Sequence, residues 1–546
     1  MNNKNELVVV GIGASAGGLE ALQILLTNLP DIENCSFIIA QHLSPTHKSM
    51  MVELLSRTAN IPVVEVQNGM IIKAKTIYMT PENTDIYIKN SKIYLRNMEQ
   101  SFGPKPSINY FFNSLATSFK KRAIGVILSG TGSDGSFGIR TIKAEGGITL
   151  AQEPNTAKYD GMPLSAINTG KVDLVVSIDK LSNEIERIIN TIDSNFDITS
   201  NERLLQQIYR VIFDEKGVDF CLYKKNTIIR RIERRLAALK IENLSKYVKI
   251  IEDSKDEVNN LYHDILIGVT SFFRDKKAFE NIQKYMELIL SKKEQGEEIR
   301  FSTIGCSTGE EAYSIAIVLS ELLKDKISKY KIKIFATDID EESLKIARTG
   351  VYSEASLEGV SKEIIQKYFS VQKNNFEVKK SIRELVVFSK HNIISDSPFL
   401  RLDLICCRNM LIYFDQALQG RFFPIVHYAL KENGYLFLGK SESIGQHFDL
   451  FSIVDKNSKI FKAQFTGIKE PPRLYNYSTH QRDYEEPKQK EYKNEEELLD
   501  EKVTEAVSKT ILDKCVVINS SNDVIYVKGD IPYLKFGQGR MSNNIF

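Results

Sequence analysis

Through residues 1–180, short and almost wholly apolar runs alternate with longer stretches of helical period. ELVVVGIG, CSFIIAQ, TIYMTP, DIYI, KIYL, AIGVILSG, GGITLAQ and VDLVVSI predict strands. Between them GLEALQILLTNL, SMMVELLSR, SINYFFNSLATSF and FGIRTIKAE repeat apolar residues at helical spacing. Strand–helix alternation of this kind predicts an α/β domain, a doubly wound and mainly parallel sheet with helices on both faces.

The pattern then changes. LSNEIERIINTIDSNFDITSNERLL is polar helix and loop, and a boundary falls near 195. From 203 to about 290 only helical periodicity is visible, and from 299 strands return in IRFSTIG, IKIFATDI, VVFSKHNI, LDLICCRN and GYLFLG. A second, Rossmann-like α/β unit therefore follows a helical subdomain. The expected organisation is a first domain over 1–192, a helical front over 198–285 and the second sheet domain over 286–465. Residues 466–503 are highly charged and read as a linker. The end, 504–546, carries CVVINSSNDVIYVKG, a hairpin pattern with too little after it for a full core.

Length agrees with several cores: 546 residues suggest roughly three domains. A formal charge of +2 gives no bulk attraction to nucleic acid. The six cysteines are scattered without a C-x-x-C pair, which argues against a disulfide framework or a zinc site and for a reducing compartment. No signal-peptide pattern and no apolar run of spanning length is present, so a cytoplasmic location is expected, with no metal.

Two glycine-rich turns carry the candidate chemistry. The first, GIGASAGG, follows the opening strand and fits both a dinucleotide fingerprint and a nucleophile elbow built on Ser15. A dinucleotide site needs an acid at the end of the second strand, but SFIIA ends in Gln41-His42. Sequential parallel strands usually neighbour one another, which sets His42 beside Ser15. A further strand ends in SGTGSDG and supplies Asp134. Ser15, His42 and Asp134 are then nucleophile, base and orienter, with backbone N–H groups of SAGG able to hold an oxyanion. The plainer alternatives are that Asp134 caps the next helix and that His42 is a strand-end histidine bonded to backbone.

The second turn, GCSTGEE, has no G-x-G-x-x-G and places Glu310 and Glu311 where a helix begins. Acids there are ordinary helix-dipole partners, but they would also repel a pyrophosphate and suit a cationic cofactor. The next strand does end in acid, Asp338, where a ribose diol would be held. S-adenosylmethionine, with a ribose, a sulfonium and no phosphate, and a generic nucleotide both remain open on pattern alone. The helix NTIIRRIERRLAALKI carries Arg230, Arg231, Arg234 and Arg235 opposite Ile228, Ile229, Ile232, Leu236 and Leu239, so its arginines are expected on an outer, solvated face.

GIGASAGG, QHLSPTHKSMM, LSGTGSDGSFGIRTIKAEGGITLAQEP and YDGMPLSAINTGKVDLVV resemble the catalytic domain of the CheB-type chemoreceptor glutamate methylesterases over about residues 5–180. The resemblance implies Ser15 as nucleophile, His42 as general base and Asp134 as its orienter. The implied reaction is hydrolysis of γ-glutamyl methyl esters, with glutamine deamidation as a related one and no cofactor. Ala16 and Thr131 depart from the Thr and Met usual at those positions, and no receiver domain is seen before the esterase. LIGVTSFFRD, GCSTGEEAYSIA, FATDID and LDLICCRNMLIYFD resemble the CheR-type chemoreceptor glutamate O-methyltransferases over about 203–465. That resemblance implies S-adenosylmethionine as cofactor. Glu311 and Asp338 would hold its methionine amine and ribose side, although pattern does not separate Glu311 from Glu310. Thr270 and Arg274 would line the pocket, and Asn392, Ile393, Asn409 and Met410 would contact the adenosine. Arg274 and Tyr413 would stand beside the transferring methyl group, while Gly268 replaces a usual Asn. Without the resemblance, TSFFRD reads as a core Phe pair with a surface Arg. Implied partners are methyl-accepting receptor helices, docked by the arginine-rich helix, and other signalling proteins through a PAS-like segment at 504–546. Nucleic acid is not implied, and membrane contact is only indirect, through receptors. The rival reading is a signalling scaffold in which one of the two activities is lost.

Overall fold

The apolar run at Val8 is covered on both faces by helices, and this fixes the first domain in the computed structural model. The structure describes residues 6–29, 32–42, 50–97, 105–193, 198, 201–357, 359–372, 375–465 and the two strands 515–518 and 524–528. Strands follow in chain order as β1 (Val8–Ala14), β2 (Cys35–Gln41), β3 (Val63–Glu65), β4 (Met70–Ile71), β5 (Thr76–Met79), β6 (Thr84–Lys89), β7 (Lys92–Asn97), β8 (Ala123–Ile127), β9 (Ile148–Gln152) and β10 (Leu174–Val176). The main sheet has the order β10-β9-β8-β1-β2-β5-β3, with every pair parallel. The DIYI and KIYL runs do not join it. As β6 and β7 they form a separate antiparallel sheet with β4.

Helices α1 (Gly18–Thr27), α2 (Met51–Ser56), α3 (Ile108–Phe119), α4 (Ser136–Ala144), α5 (Gly161–Ile167) and α6 (Leu181–Asp193) complete the domain. Val8, Val10 and Ile12 share one core with Leu22 and Leu25 of α1 and Ile185 and Ile189 of α6. Val9 faces the other way, into a core with Phe111 and Phe112 of α3 and Ile139 of α4. Gly11 and Gly13 of β1 lie under α3. A Cβ would come within 2.5 Å of Leu115 Cδ2 at Gly11 and of Ile108 Cγ2 at Gly13. These glycines therefore serve helix–strand packing.

The helical front consists of α7 (Glu202–Lys216), α8 (Lys225–Leu239), α9 (Leu244–Asp253) and α10 (Lys255–Ile265), with Ile208, Ile212, Ile232, Tyr247 and Leu261 in a core of their own. Helix α11 (Lys276–Leu290) instead buries Phe279, Ile282 and Met286 in the core of the second sheet. The front thus ends with α10, and a boundary at 285 would cut α11.

Three of the four arginines of α8 are not solvated. Arg231, Arg234 and Arg235 are 3%, 2% and 9% exposed, so the outer face expected from periodicity is covered. Periodicity separates two faces of a helix but does not say what meets the polar one.

The second domain has strands β11 (Glu298–Ile304), β12 (Lys331–Asp338), β13 (Val351–Ser353), β14 (Phe369–Gln372), β15 (Asn375–Val378), β16 (Val386–Lys390), β17 (Leu402–Cys407), β18 (Leu430–Leu438), β19 (Phe451–Asp455) and β20 (Ile460–Ala463). Its sheet order is β16-β12-β11-β17-β18-β20-β19, parallel as far as β18 and antiparallel beyond. Strands β13, β15 and β14 form a small antiparallel sheet, and α12 (Glu310–Leu323) and α13 (Glu341–Thr349) follow β11 and β12.

Contacts divide the chain into units Met1–Tyr475 and Asn476–Phe546. In the second unit β21 (Cys515–Ile518) and β22 (Val524–Lys528) pair antiparallel, as the hairpin pattern predicts. The 466–503 linker and the rest of the PAS-like segment lie outside the described residues. Among the described residues, no helix is long and apolar enough to cross a membrane, and no cluster of His, Cys, Asp or Glu has the form of a metal site.

The close approach of α3 to β1 yields a first prediction. Gly13→Val should destabilise the first domain by about 1–3 kcal/mol through overpacking against Ile108. Urea unfolding followed by circular dichroism measures it, and an unchanged midpoint would contradict the packing described.

Two candidate active sites

β1 and β2 run in register from Val8↔Cys35 to Ala14↔Gln41, so the residues that follow each strand emerge side by side. His42 N–H donates to the Ala14 carbonyl at 3.0 Å, which sets the His42 backbone next to Ser15. On the other flank Ser15 N–H donates to the Ser129 carbonyl at the end of β8, also at 3.0 Å. Ser15 thus stands at the carboxyl end of the central strand, where the chain order of the sheet reverses and ligands collect in open α/β folds.

His42 Nε2 lies 3.0 Å from Asp134 Oδ2, and both side chains are largely buried. The Asp134 carboxylate does not act as a simple cap for its own helix. Oδ2 also accepts from Ile108 N–H at 2.8 Å, and Oδ1 accepts from Asn109 N–H at 3.0 Å and Gly135 N–H at 2.9 Å. The N–H groups of Ile108 and Asn109 open α3, whose N-cap is Ser107. Asp134 thereby satisfies two of the orphan donors at the start of α3. Ser15 Oγ is not bonded to the imidazole. The amides of Ala16 and Gly17 have no partner among the described residues, whereas Gly18 N–H closes the turn onto the Ser15 carbonyl.

Supporting residues here escaped the sequence analysis. Gln41 Nε2 donates to the Ser15 carbonyl at 2.6 Å. Ser129 Oγ donates to the Ala16 carbonyl and accepts from Tyr159 N–H, tying three loops together. A Cβ on Gly130 would come within 2.8 Å of Ser15 Cβ, so glycine leaves room for the nucleophile there. A strand-end Ser before Gly is the one signal that could have pointed to Ser129.

The second constellation gathers at the carboxyl ends of β11, β12, β16 and β17. The β11 turn uses positive φ at Gly305, Ser307 and Gly309. Asp338, ending β12, accepts from Ser307 N–H at 2.8 Å and Asp340 N–H at 2.9 Å. Burial raises its pKa to about 6, against the lowering pull of those N–H groups.

The two acids of the turn separate clearly. Glu310 is 1% exposed and accepts from Thr308 Oγ1 at 2.6 Å, a helix-start role. Glu311 faces Arg408 Nη1 at 3.5 Å. Burial raises its pKa while Arg408 and Arg274 oppose the rise.

Thr270 and Arg274 lie on the loop before α11, anchored by Phe273 N–H to Ser314 Oγ at 3.0 Å. Arg274 Nη1 donates to the Val269 carbonyl at 2.7 Å. Beyond β16, Asn392 Oδ1 accepts from Ile394 N–H, and Ile393 is buried. Beyond β17, Asn409 has a left-handed φ of 62°, and Met410 packs against Gly305. Tyr413 is joined to the helical front, its carbonyl accepting from Lys224 N–H at 2.8 Å. Burial raises its phenol.

Sequence reasoning missed two residues of this second site. Glu442 accepts from the N–H groups of Gly439, Asn409 and Leu411 and so fixes the Asn409–Met410 turn. Arg408, its side chain 1% exposed, joins Asp275 at 2.8 Å to Glu311 and stacks over Phe279 and Phe437. Nothing local in GKSESIG marks Glu442, since two of its three partners, Asn409 and Leu411, lie some thirty residues upstream.

Three family models match the chain. CheB methylesterase covers residues 10–185, CheR methyltransferase, all-alpha domain, covers 203–266, and CheR methyltransferase, SAM binding domain, covers 268–460. A chemotaxis protein methyltransferase of Borreliella burgdorferi is 32% identical over 47% of this chain and 92% of its own length. A protein-glutamate methylesterase/protein-glutamine glutaminase of Clostridium acetobutylicum is 32% identical over 34% of this chain and 54% of its own. An uncharacterized 104.1 kDa protein of Rhodobacter capsulatus matches across both parts, 33% identical over 76% of this chain. The chain spans 46% of that relative's length. The chain belongs to the CheB methylesterase and CheR methyltransferase families, joined in one polypeptide.

Glu442 supplies a second prediction. Glu442→Ala leaves buried N–H groups unpaired and should cost about 3 kcal/mol of stability. Thermal unfolding measures it, and an unchanged Tm would show that the carboxylate does not hold the turn.

Proposed function

We propose that the chain is a bifunctional enzyme acting in opposite directions on one kind of substrate, glutamate side chains of chemoreceptor helices. The observation that carries the esterase half is the His42–Asp134 contact at 3.0 Å beside Ser15. Asp134 commits Nε2, so Nδ1 is left to take the Ser15 proton. Ser15 Oγ then attacks the methyl ester carbonyl, and the Ala16 and Gly17 amides receive the oxyanion. Return of the proton releases methanol, and water hydrolyses the acyl-enzyme by the same base. A glutamine amide would pass through the same steps with ammonia as leaving group.

For the second site, the residues present suit S-adenosylmethionine. Asp338 is a half-buried carboxylate at the strand end, Glu311 is a half-buried acid whose one ion pair, to Arg408, is loose at 3.5 Å, and the turn offers no phosphate-directed cation. When bound, the cofactor supplies an electrophilic methyl group. Asp338 holds its ribose diol and Glu311 its amine side. Thr270 lines the pocket, and Asn392, Ile393, Asn409 and Met410 enclose the adenine. A receptor glutamate is already ionised at neutral pH, so Arg274 has only to align it beside Tyr413. Both half-reactions suit a cytoplasmic protein that meets membranes only through receptors.

Ser15→Ala should lower methanol release from pre-methylated receptor by at least a hundredfold while leaving S-adenosylmethionine affinity unchanged. Equal release by the two proteins would end the esterase assignment. Cofactor binding should depend on pH with a definite sign. The ionised Asp338 binds the diol, so affinity should be flat above pH 7 and fall roughly tenfold per unit below about 6. Calorimetry from pH 5 to 8 reads this, and Asp338→Ala should abolish binding. Undiminished affinity at pH 5 would remove Asp338 from the cofactor site.

A further inference from the structure

The covered face of α8 meets the esterase domain of the same chain. Arg231 donates through Nη1 to the Lys143 carbonyl at 2.7 Å and through Nη2 to the Ala144 carbonyl, the last carbonyls of α4. Its charge thereby faces the negative end of that helix. Alongside, Arg234 bonds both Asp173 of the esterase domain and Asp264 of α10. Lys143 Nζ reaches the same two carboxylates at 3.0 and 3.3 Å. The four side chains are at most 7% exposed, and their charges sum to zero. At the rim, Lys121 pairs with Glu233 at 3.6 Å and Lys240 with Glu184 at 2.8 Å.

The two sides of the esterase domain are used differently. Lys121 precedes β8, Asp173 precedes β10, and Lys143 ends α4, so the buried ionic part of the contact lies at the amino ends of the esterase strands, while Glu184 and Arg187 continue it along α6. Ser15, His42 and Asp134 lie at the opposite, carboxyl ends. In the methyltransferase the contact falls on the cofactor side. Tyr262 and His263, next to Asp264 on α10, bond Ile339 and Asp340 just beyond β12. Helix α4 also packs along the turn Glu354–Leu357 beside the small antiparallel sheet. The charges of Glu145 and Lys171, both from the esterase domain, act on Tyr413 and on Asp340 respectively.

We propose that the esterase domain is a built-in cover for the methyl-transfer mouth, latched by the Lys143–Asp173–Arg234–Asp264 cluster. In the latched form the ester-hydrolysing face is open, and a receptor helix has no path to Tyr413 and Arg274. Release of the latch exposes that mouth. The latch chemistry fits a contact that opens. Paired buried ions give little net stability because their hydration is lost on closing and regained on opening. An apolar interface of the same extent would stay shut.

This inference rests on the methyltransferase reading, and its test keeps the two apart. Lys143→Glu and Arg231→Glu attack the latch from opposite domains. Each should raise the radius of gyration in small-angle scattering and raise methyl transfer to receptor about fivefold or more, the range of a typical coupling between sites. Methanol release should remain within twofold of the wild type. Should both variants fail to fold, Lys121→Cys with Glu233→Cys, joined by a short bis-maleimide, holds the rim closed without touching the buried ions. The joined protein should bind S-adenosylmethionine, release methanol and fail to methylate receptor. Expanded variants with unchanged transfer, or a joined protein that methylates at the unjoined rate, would overturn the cover. Absence of S-adenosylmethionine binding in every form would instead overturn the methyltransferase reading.

Discussion

The carboxylate of Asp134, seated on the N–H groups of Ile108, Asn109 and Gly135, is the contact on which the first site depends. It carries the loop after β8 to the start of α3 and leaves one oxygen to orient His42. The second site repeats the device. Asp338 gathers Ser307 and Asp340, and Glu442 gathers Asn409, Leu411 and Gly439. In each case a buried charge is kept by backbone donors that a loop would otherwise leave unsatisfied. Loops that carry chemistry cannot be held by a hydrophobic core, because their own polar backbone keeps them at its edge. Carboxylates that accept several N–H groups supply the rigidity instead.

From the same kind of anchor the two sites draw opposite electrostatics. Asp134 accepts three backbone donors at a helix start and serves as a fixed negative partner for an imidazole. Asp338 also accepts backbone N–H groups, but burial outweighs them and raises its pKa to about 6. Both carboxylates stand beyond the carboxyl end of a strand in a parallel sheet, one against an imidazole and the other holding the turn after β11.

Much of this was legible in sequence because it is local or follows from strand order. Apolar runs gave the sheet strands, and the rule that consecutive parallel strands neighbour each other set His42 beside Ser15 before any coordinates. GCSTGEE followed by Asp338 was legible for the same reason. Glu442 and Arg408 were not, since their partners lie in other loops and no spacing rule links them. The arginines of α8 were misread for a related reason. Ile228, Ile232 and Leu236 correctly marked the inner face, but the partners of Arg231 and Arg234 come from residues 143–144, 173 and 264, on other elements. Glu310 and Glu311 were not separable in sequence, because adjacent helical residues diverge by about 100° and only the fold shows that Glu310 meets Thr308 while Glu311 faces Arg408.

On the proposed reading, two opposing activities on one substrate would cancel if both ran freely in one chain, so their geometry relative to each other matters as much as either site. The esterase domain offers its inert end to the methyltransferase and keeps its catalytic end free. The methyltransferase meets it on the side that leads to Tyr413. The asymmetry follows from the parallel sheet itself, whose carboxyl ends carry chemistry and whose amino ends do not. A contact through the amino ends of one sheet and the cofactor side of the other can leave the first site working while it shuts the second. An ionic contact can do so reversibly, since each surface is well hydrated once exposed. The same arginines that look from sequence like a surface awaiting an acidic partner have found one inside the chain.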